Sequence, residues 1–236
     1  MRRYAIYYTP PPGAFAAAAA AWLGYDVQTA RAVAQPAIAG LPRPLADLTA
    51  APRKYGFHGT LKAPFRLADG YSATDLAQAV RLLAAELAPV EVAGLDLVNL
   101  EGFLAFVPMR DGGGAAGDAG DNKAFSDLAA HVVRSLDPYR AALTPAETAR
   151  RRPEQLTPRQ RDLLAIYGYP YVLEEFRFHL TLSDALPEAA LGPMARAATA
   201  HFVGVVPQPF VLSEICLMGE DAQGQFHVLA RHALTL

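Results

Sequence analysis

Two histidines in this chain sit in nearly the same pentapeptide. Phe57-His58-Gly59-Thr60-Leu61 recurs as Phe178-His179-Leu180-Thr181-Leu182, so both copies read Phe-His-x-Thr-Leu. Imidazole changes charge near neutral pH, which suits it to give and take protons. A hydroxyl two residues on can donate a hydrogen bond to an anion. In a strand, side chains alternate between faces. His58, Thr60 and Lys62 then share a polar face in the first copy, and Arg177, His179, Thr181 and Ser183 in the second. The opposite faces are Phe57, Gly59 and Leu61, and Phe178, Leu180 and Leu182, which suit a core. Brought opposite each other, the polar faces would make a site for general acid–base chemistry on an anion. Lys62 and Arg177 would supply positive charge there, and Tyr7, from the first strand, would line the same cleft.

A single His-x-Thr is common enough to mean nothing. Two, each inside the longer pentapeptide and 121 residues apart in a chain of 236, carry more weight. The competing structural reading makes both histidines half-buried strand residues whose threonines reflect β-propensity. A metal site is a weaker reading, because neither histidine lies in a His-x-His or His-Glu-x-x-His arrangement. A serine hydrolase is weaker still, since Gly-x-Ser-x-Gly is missing from the sequence. His131, His201, His227 and His232 lack the hydroxyl partner and are read as surface, helix-end or strand residues.

The elements that must position the two motifs follow one plan twice. Residues 4–9 read as a strand ending at prolines, and 14–23 as a helix. The stretch 26–52 is proline-rich and irregular, with a short helix near 27–34. The first motif strand covers about 57–62. Ser72, with Asp75 three residues on, opens a helix, and strands follow at 91–99 and 103–109, turning at Glu101-Gly102. The Gly, Ala and Asp stretch 111–121 reads as a mobile surface loop. An apolar stripe from Phe125 to Leu136 forms the next helix. Thr157-Pro158 starts another, then the second motif strand covers 178–183. A helix enters at Pro187, and strands near 208–218 and 225–234 end the chain. Strand, helix, histidine strand, helix, strand thus occurs twice, an internal duplication retained in sequence only at the motif. Two related lobes about a pseudo-two-fold axis would bring the motif strands face to face.

Bulk properties narrow the function classes. With 52% hydrophobic residues, the chain can build one large core or two small lobes. A formal net charge of −2 does not resemble the basic footprint of a protein that binds long nucleic acid. Cys216 is the single cysteine, which suits a reducing compartment. Arg2 and Arg3 precede the alanine run 16–21, but Pro10-Pro11-Pro12-Gly13 intervenes, so a helix entered through a turn is expected instead of a signal peptide. No stretch approaches the roughly 18 apolar residues of a membrane span. A cytoplasmic protein with no membrane partner is expected, and its oligomeric state is open.

Two His-x-Thr motifs in a duplicated α+β chain resemble the 2H phosphoesterase superfamily, which includes bacterial RNA ligase/cyclic phosphodiesterase proteins. The longer stretch Arg53-Lys54-Tyr55-Gly56-Phe57-His58-Gly59-Thr60-Leu61-Lys62-Ala63-Pro64-Phe65 looks like a more specific branch. So do Tyr4-Ala5-Ile6-Tyr7-Tyr8-Thr9-Pro10-Pro11-Pro12 and Trp22-Leu23-Gly24-Tyr25-Asp26. That branch is often encoded beside carbon–phosphorus lyase genes and described as a domain of unknown function. The resemblance covers essentially the whole chain. It implies one domain over residues 1–236, bilobal, with two pseudo-symmetric antiparallel-sheet lobes, outer helices and a central cleft. It also implies no required metal or other cofactor, with His58 and His179 catalytic and Thr60 and Thr181 on the phosphate.

The function so implied is hydrolysis of a small cyclic phosphodiester. In-line attack needs water deprotonated on one side of phosphorus and the leaving oxygen protonated on the other, roles for one neutral and one protonated imidazole. The branch's gene neighbourhood suggests phosphonate breakdown, hence 5-phosphoribosyl 1,2-cyclic phosphate as the small phosphorylated partner. An enzyme acting on 2′,3′-cyclic nucleotides or RNA ends is the alternative. It would want a basic groove with aromatic platforms. A non-catalytic phosphosugar-binding module is a third reading. Arg150, Arg151 and Arg152 read as a solvated loop or as a cap on a substrate's second phosphate.

Overall fold

The computed structural model describes residues 1–109 and 123–236. The glycine-rich stretch 111–121 lies outside the described residues. The chain begins with β1 (Tyr4–Tyr8), α1 (Ala14–Leu23) and a small hairpin of β2 (Tyr25–Asp26) and β3 (Arg31–Ala32). Short helices α2 (Leu45–Leu48) and α3 (Ala50–Arg53) lead into β4 (Gly59–Phe65). Then come α4 (Ala73–Ala85), β5 (Val90–Val92), β6 (Leu95–Leu100), β7 (Phe103–Pro108) and α5 (Lys123–Ser135). The remainder holds α6 (Pro145–Arg150), α7 (Pro158–Tyr167), β8 (Leu180–Thr181), α8 (Glu188–Phe202), β9 (Phe210–Leu212), β10 (Glu214–Glu220) and β11 (Phe226–Ala233).

Local sequence explains several of these boundaries. Ser72 caps α4 by accepting from the Asp75 N–H while the Asp75 carboxylate accepts from the Ser72 N–H. Thr157 and Gln160 do the same for α7, and Thr144 and Glu147 for α6. The helix expected near 27–34 is instead the β2–β3 hairpin. Its turn forms because the Asp26 carboxylate accepts from the Gln28 N–H and the Thr29 hydroxyl, a local alternative to helical bonding.

The architecture is α+β. A seven-stranded antiparallel sheet runs β11-β10-β1-β4-β8-β7-β6. Read outward from its centre, β4 answers to β8, β1 to β7 and β10 to β6, the order a duplicated plan requires. The motif strands are not in facing sheets. They lie side by side in one sheet, joined at Gly59 and Leu180. Adjacent pairing lets each lobe close its open edge against the other.

Alternation along β1 sorts two cores. Tyr4, Ile6 and Tyr8 enter the main core, with Phe57, Leu61, Phe178, Leu180 and Leu182 from the motifs and residues of α1, α4, α5 and α8. Ala5 and Tyr7 enter a smaller cluster with Tyr25, Val27, Cys216, Met218 and Phe226. The strand carrying Tyr7 is therefore buried on both faces, a rigid floor beside the first motif.

Candidate active site

Each histidine stands one residue before its motif strand, and each is fixed in the same way. The Nδ1–H of His58 donates to the Gly56 carbonyl at 2.8 Å, and that of His179 to the Arg177 carbonyl at 2.8 Å. A carbonyl only accepts, so the proton of each neutral ring sits on Nδ1 and Nε2 is left for chemistry. In the first copy the carbonyl is aimed by Gly56, whose φ of +69° favours glycine. A side chain there would also meet Val27 Cβ at 2.5 Å.

The register brings the motifs together. Gly59 pairs with Leu180, the middle residue of one pentapeptide with the middle residue of the other. Continued one residue either way, this antiparallel register sets His58 opposite Thr181 and Thr60 opposite His179. On that continued register the two histidines would be diagonal neighbours, a relation that in a regular strand pair puts residues about 7–8 Å apart. That spacing leaves room for one phosphate between two imidazoles. All four motif side chains are half-buried.

The surroundings of the two rings differ. Tyr7 stacks on His58 with ring centroids 4.0 Å apart and planes 24° apart, and Tyr55 lies at 5.9 Å. The Nε2 of His58 lies 3.2 Å from the Thr60 hydroxyl, which donates to it. Burial pushes the His58 pKa down to about 4, opposed by the Gly56 carbonyl and reinforced by the nearby His179. Burial also lowers that of His179, opposed by the Arg177 carbonyl. Burial thus favours the neutral form of both rings in the free protein; the one neutral and one protonated ring expected from the sequence concern the form that holds substrate.

Thr60, Arg177 and His179 line a cavity of about 480 Å³, with Phe103, Tyr169 and Tyr171 among its other walls. His58 is not among its lining residues, although Thr60, whose hydroxyl meets its Nε2, is. Arg177 is exposed and pairs with Glu101 at 3.3 Å. Lys62 departs from the expectation of a free phosphate ligand. It is 3% exposed, and its ammonium donates to the Val133 carbonyl at 3.1 Å and to Asp137 at 3.2 Å. Burial lowers its pKa to about 8 even with Asp137 beside it. Tyr7 departs likewise. At 1% exposed it supports the His58 ring and does not line the cleft. Among the described residues no three His, Cys, Asp or Glu side chains gather as a metal site would need, and no helix is long and apolar enough to cross a membrane.

A second cavity, of about 520 Å³, shares the walls Ala63, Tyr169 and Val172 with the first. Eight Lys and Arg side chains line it against two glutamates. Sequence reading missed this concentration, except for the Arg150, Arg151 and Arg152 run, of which Arg150 and Arg151 reach it. The guanidinium of Arg151 lies 4.9 Å over the Tyr169 ring.

Comparison with known proteins gives three findings. The model of a family described as "Protein of unknown function (DUF1045)" matches residues 60–227. A curated relative named ribose 1,5-bisphosphate phosphokinase PhnN, from Janthinobacterium sp. (strain Marseille), is 37% identical over 230 residues, 95% of this chain and 49% of that protein. Another of the same name, from Laribacter hongkongensis (strain HLHK9), is 37% identical over 210 residues, 88% of this chain and 46% of that protein. The chain thus spans about half the length of these curated relatives. Among solved structures, a phosphoesterase aligns over 100% of both chains at 17% identity and TM-score 0.40. E. coli LigT in apo form aligns over 100% of this chain and 98% of its own at 16% identity and TM-score 0.42.

Proposed function

The chain belongs to the DUF1045 family, and we propose that residues 1–236 act as one bilobal phosphodiesterase that opens a small cyclic phosphodiester with His58 and His179. The observation that supports this reading is the pairing of the two motif strands at Gly59 and Leu180, with an imidazole anchored through Nδ1 just before each strand. Phosphorus would lie between the two Nε2 atoms. One imidazole takes a proton from water as its oxygen bonds to phosphorus. The phosphorus bond to a ring oxygen breaks, and the other imidazole gives that oxygen its proton. One water is consumed and a phosphomonoester remains. Each such proton transfer typically contributes about 10²–10⁴-fold.

The neutral state of both rings fits this scheme. An arriving phosphate anion favours the charged form of a neighbouring imidazole, so bound substrate would raise the pKa of the acid, which then takes its proton from solvent. A phosphate oxygen would also take over the Thr60 hydroxyl that caps His58 Nε2, with Thr181 as the counterpart on the other strand. The chemistry as written needs no metal.

For the substrate, we look to the curated relatives, whose name concerns ribose 1,5-bisphosphate and of which this chain matches about half. Cleaving the phosphorus bond to O2 in 5-phosphoribosyl 1,2-cyclic phosphate leaves ribose 1,5-bisphosphate. This chain would then supply the compound that names its relatives. The test is phosphorus NMR of that cyclic compound with the full chain. Release of ribose 1,5-bisphosphate, lost by at least about 10²-fold in His58→Ala and in His179→Ala, is expected. Undiminished turnover in either variant overturns the scheme. Equal or better turnover of adenosine 2′,3′-cyclic phosphate would overturn the substrate assignment.

A further inference from the structure

The basic cavity beside the histidine pair is a built site that the two-histidine scheme does not use. Its cations divide into two groups. Arg3 is engaged by Glu220 at 2.6 and 2.8 Å, Arg66 by Glu147 at 2.9 and 3.0 Å, and Lys62 and Arg140 by Asp137. Arg2, Arg150 and Arg151 make no ion pair among the described residues. Lys54 lies 3.7 Å from Glu220, which Arg3 already holds. The cavity therefore carries uncompensated positive charge, in a chain whose formal net charge is −2. Such an excess, gathered from residues far apart in sequence, attracts an anion.

The position of this charge decides which anion. Tyr169 walls both cavities, and Arg151 lies over its ring. Arg151 thus lies against the one aromatic wall the two cavities share, where a guanidinium is favoured over the ring face. Arg150 ends α6, and the bidentate Arg66 to Glu147 pair, both lining the cavity, fastens α6 to the residue following β4. A cavity of about 520 Å³ is of the size that takes part of a small molecule.

We propose that this cavity is a subsite for a terminal phosphomonoester of the same small molecule whose cyclic phosphate lies at His58 and His179, with Arg150 and Arg151 as its principal ligands. The assignment rests on the cyclic-phosphodiesterase reading and adds to it the feature that selects the substrate. Arg forks match phosphate oxygens two at a time. Lys54 and Arg2 contribute longer-range charge. The anchored phosphate would fix the sugar so that the cyclic phosphorus meets both imidazoles.

Two measurements separate this assignment from the reaction it builds on. The first is calorimetric binding of ribose 5-phosphate, with ribose as control, to the full chain and to Arg150→Ala, Arg151→Ala and Arg151→Lys. Affinity falls on the order of 10- to 100-fold in each alanine variant, Arg151→Lys recovers part of it, and ribose does not bind. Unchanged affinity in both alanine variants overturns the subsite, whatever the enzyme's activity. The second compares turnover of the ribosyl 1,2-cyclic phosphate with and without its 5-phosphate. Wild type prefers the 5-phosphorylated compound in kcat/KM by at least about tenfold, and the preference shrinks in Arg150→Ala and Arg151→Ala. Equal kcat/KM for the two compounds overturns the subsite while leaving the two-histidine reaction standing. If neither compound is opened, that reaction falls, and the ribose 5-phosphate affinities alone decide the subsite.

Discussion

The ring of Phe178 occupies the space that a side chain at Gly59 would fill. A Cβ built on Gly59 meets Phe178 Cε2 at 2.6 Å and Cζ at 2.7 Å, with Leu180 Cδ2 at 3.2 Å. The first aromatic residue of one motif thus lies against the central residue of the other. Phe178 cannot swing away, because it packs on Phe125 at 4.5 Å and on Phe210 at 6.0 Å. This asymmetry explains why the variable position of the pentapeptide is Gly in one copy and Leu in the other. The pair can close only if one side yields its side chain.

Gly59→Ala is expected to force β4 and β8 apart. Overpacking of this kind typically costs about 1–3 kcal/mol. The loss in kcat should exceed what the fall in stability explains, because the strand pair sets the distance between the imidazoles. Urea unfolding beside steady-state kinetics tests this. A variant with wild-type kcat would show that the register tolerates the methyl and does not set the site.

The depressed His58 pKa makes stability depend on pH in a stated direction. In the unfolded chain this imidazole takes its proton near the ordinary value of about 6.5, whereas the folded site resists it down to about 4. Stability rises with pH wherever the unfolded state binds more protons. It is therefore full above pH 6.5 and lost as pH falls toward 4. His179 and His232, also lowered by burial, act in the same direction. The lowered carboxylates, with Glu147 at about 2, add their loss only below about 4.5. Between pH 7 and 4.5, His58→Gln should remove on the order of 2 kcal/mol of that fall. Urea midpoints at the two pH values measure it. Identical pH dependence in wild type and variant would disprove the assignment.

Tyr7 holds the His58 ring by stacking and keeps water from one of its faces. Its hydroxyl is not needed for that. Tyr7→Phe should leave the His58 pKa near 4, whereas Tyr7→Leu should raise it toward 6.5. NMR titration of the imidazole distinguishes them. Equal pKa values in the two variants would show that the aromatic face is not what desolvates the ring.

The sequence displays what is local and conceals what is assembled. The capping boxes at Ser72 and Thr157 are legible because each closes within four residues. The same pattern at Thr144 and Glu147 could have announced α6. The two motifs are legible because they repeat, and alternation along β1 sorts Ile6 from Tyr7 correctly. Alternation gives polarity without partners, however. It cannot reveal that Lys62 is spent on Asp137 and the Val133 carbonyl, or that Tyr7 lies under an imidazole. The basic cavity gathers Arg2, Lys54, Arg66, Arg140, Arg150 and Arg151 from five stretches of chain, and no spacing rule links them. The side-by-side pairing of β4 and β8 depends on Gly59 accepting Phe178, a packing fact that only the fold supplies.

The two motif strands are unequal. β4 spans seven residues, and β8 only Leu180 and Thr181. Beyond backbone bonds such as Leu182 N–H to the Leu104 carbonyl at 2.8 Å, side chains from elsewhere help hold the second motif. The Trp22 indole N–H, fully buried at the end of α1, donates to the Leu182 carbonyl at 2.8 Å. The Ser183 hydroxyl accepts from the Leu104 N–H, and the Asp184 carboxylate accepts from the Ala51 N–H. Trp22→Phe keeps an aromatic ring but leaves the Leu182 carbonyl short of a donor, at a cost of about 1–3 kcal/mol. If these bonds position His179, hydrogen-exchange protection should drop around residues 180–182 while β4 stays protected, and kcat should fall with KM little changed. Uniform loss of protection across both strands would mean that Trp22 merely stabilises the core, and that the short strand β8 holds its histidine by pairing alone.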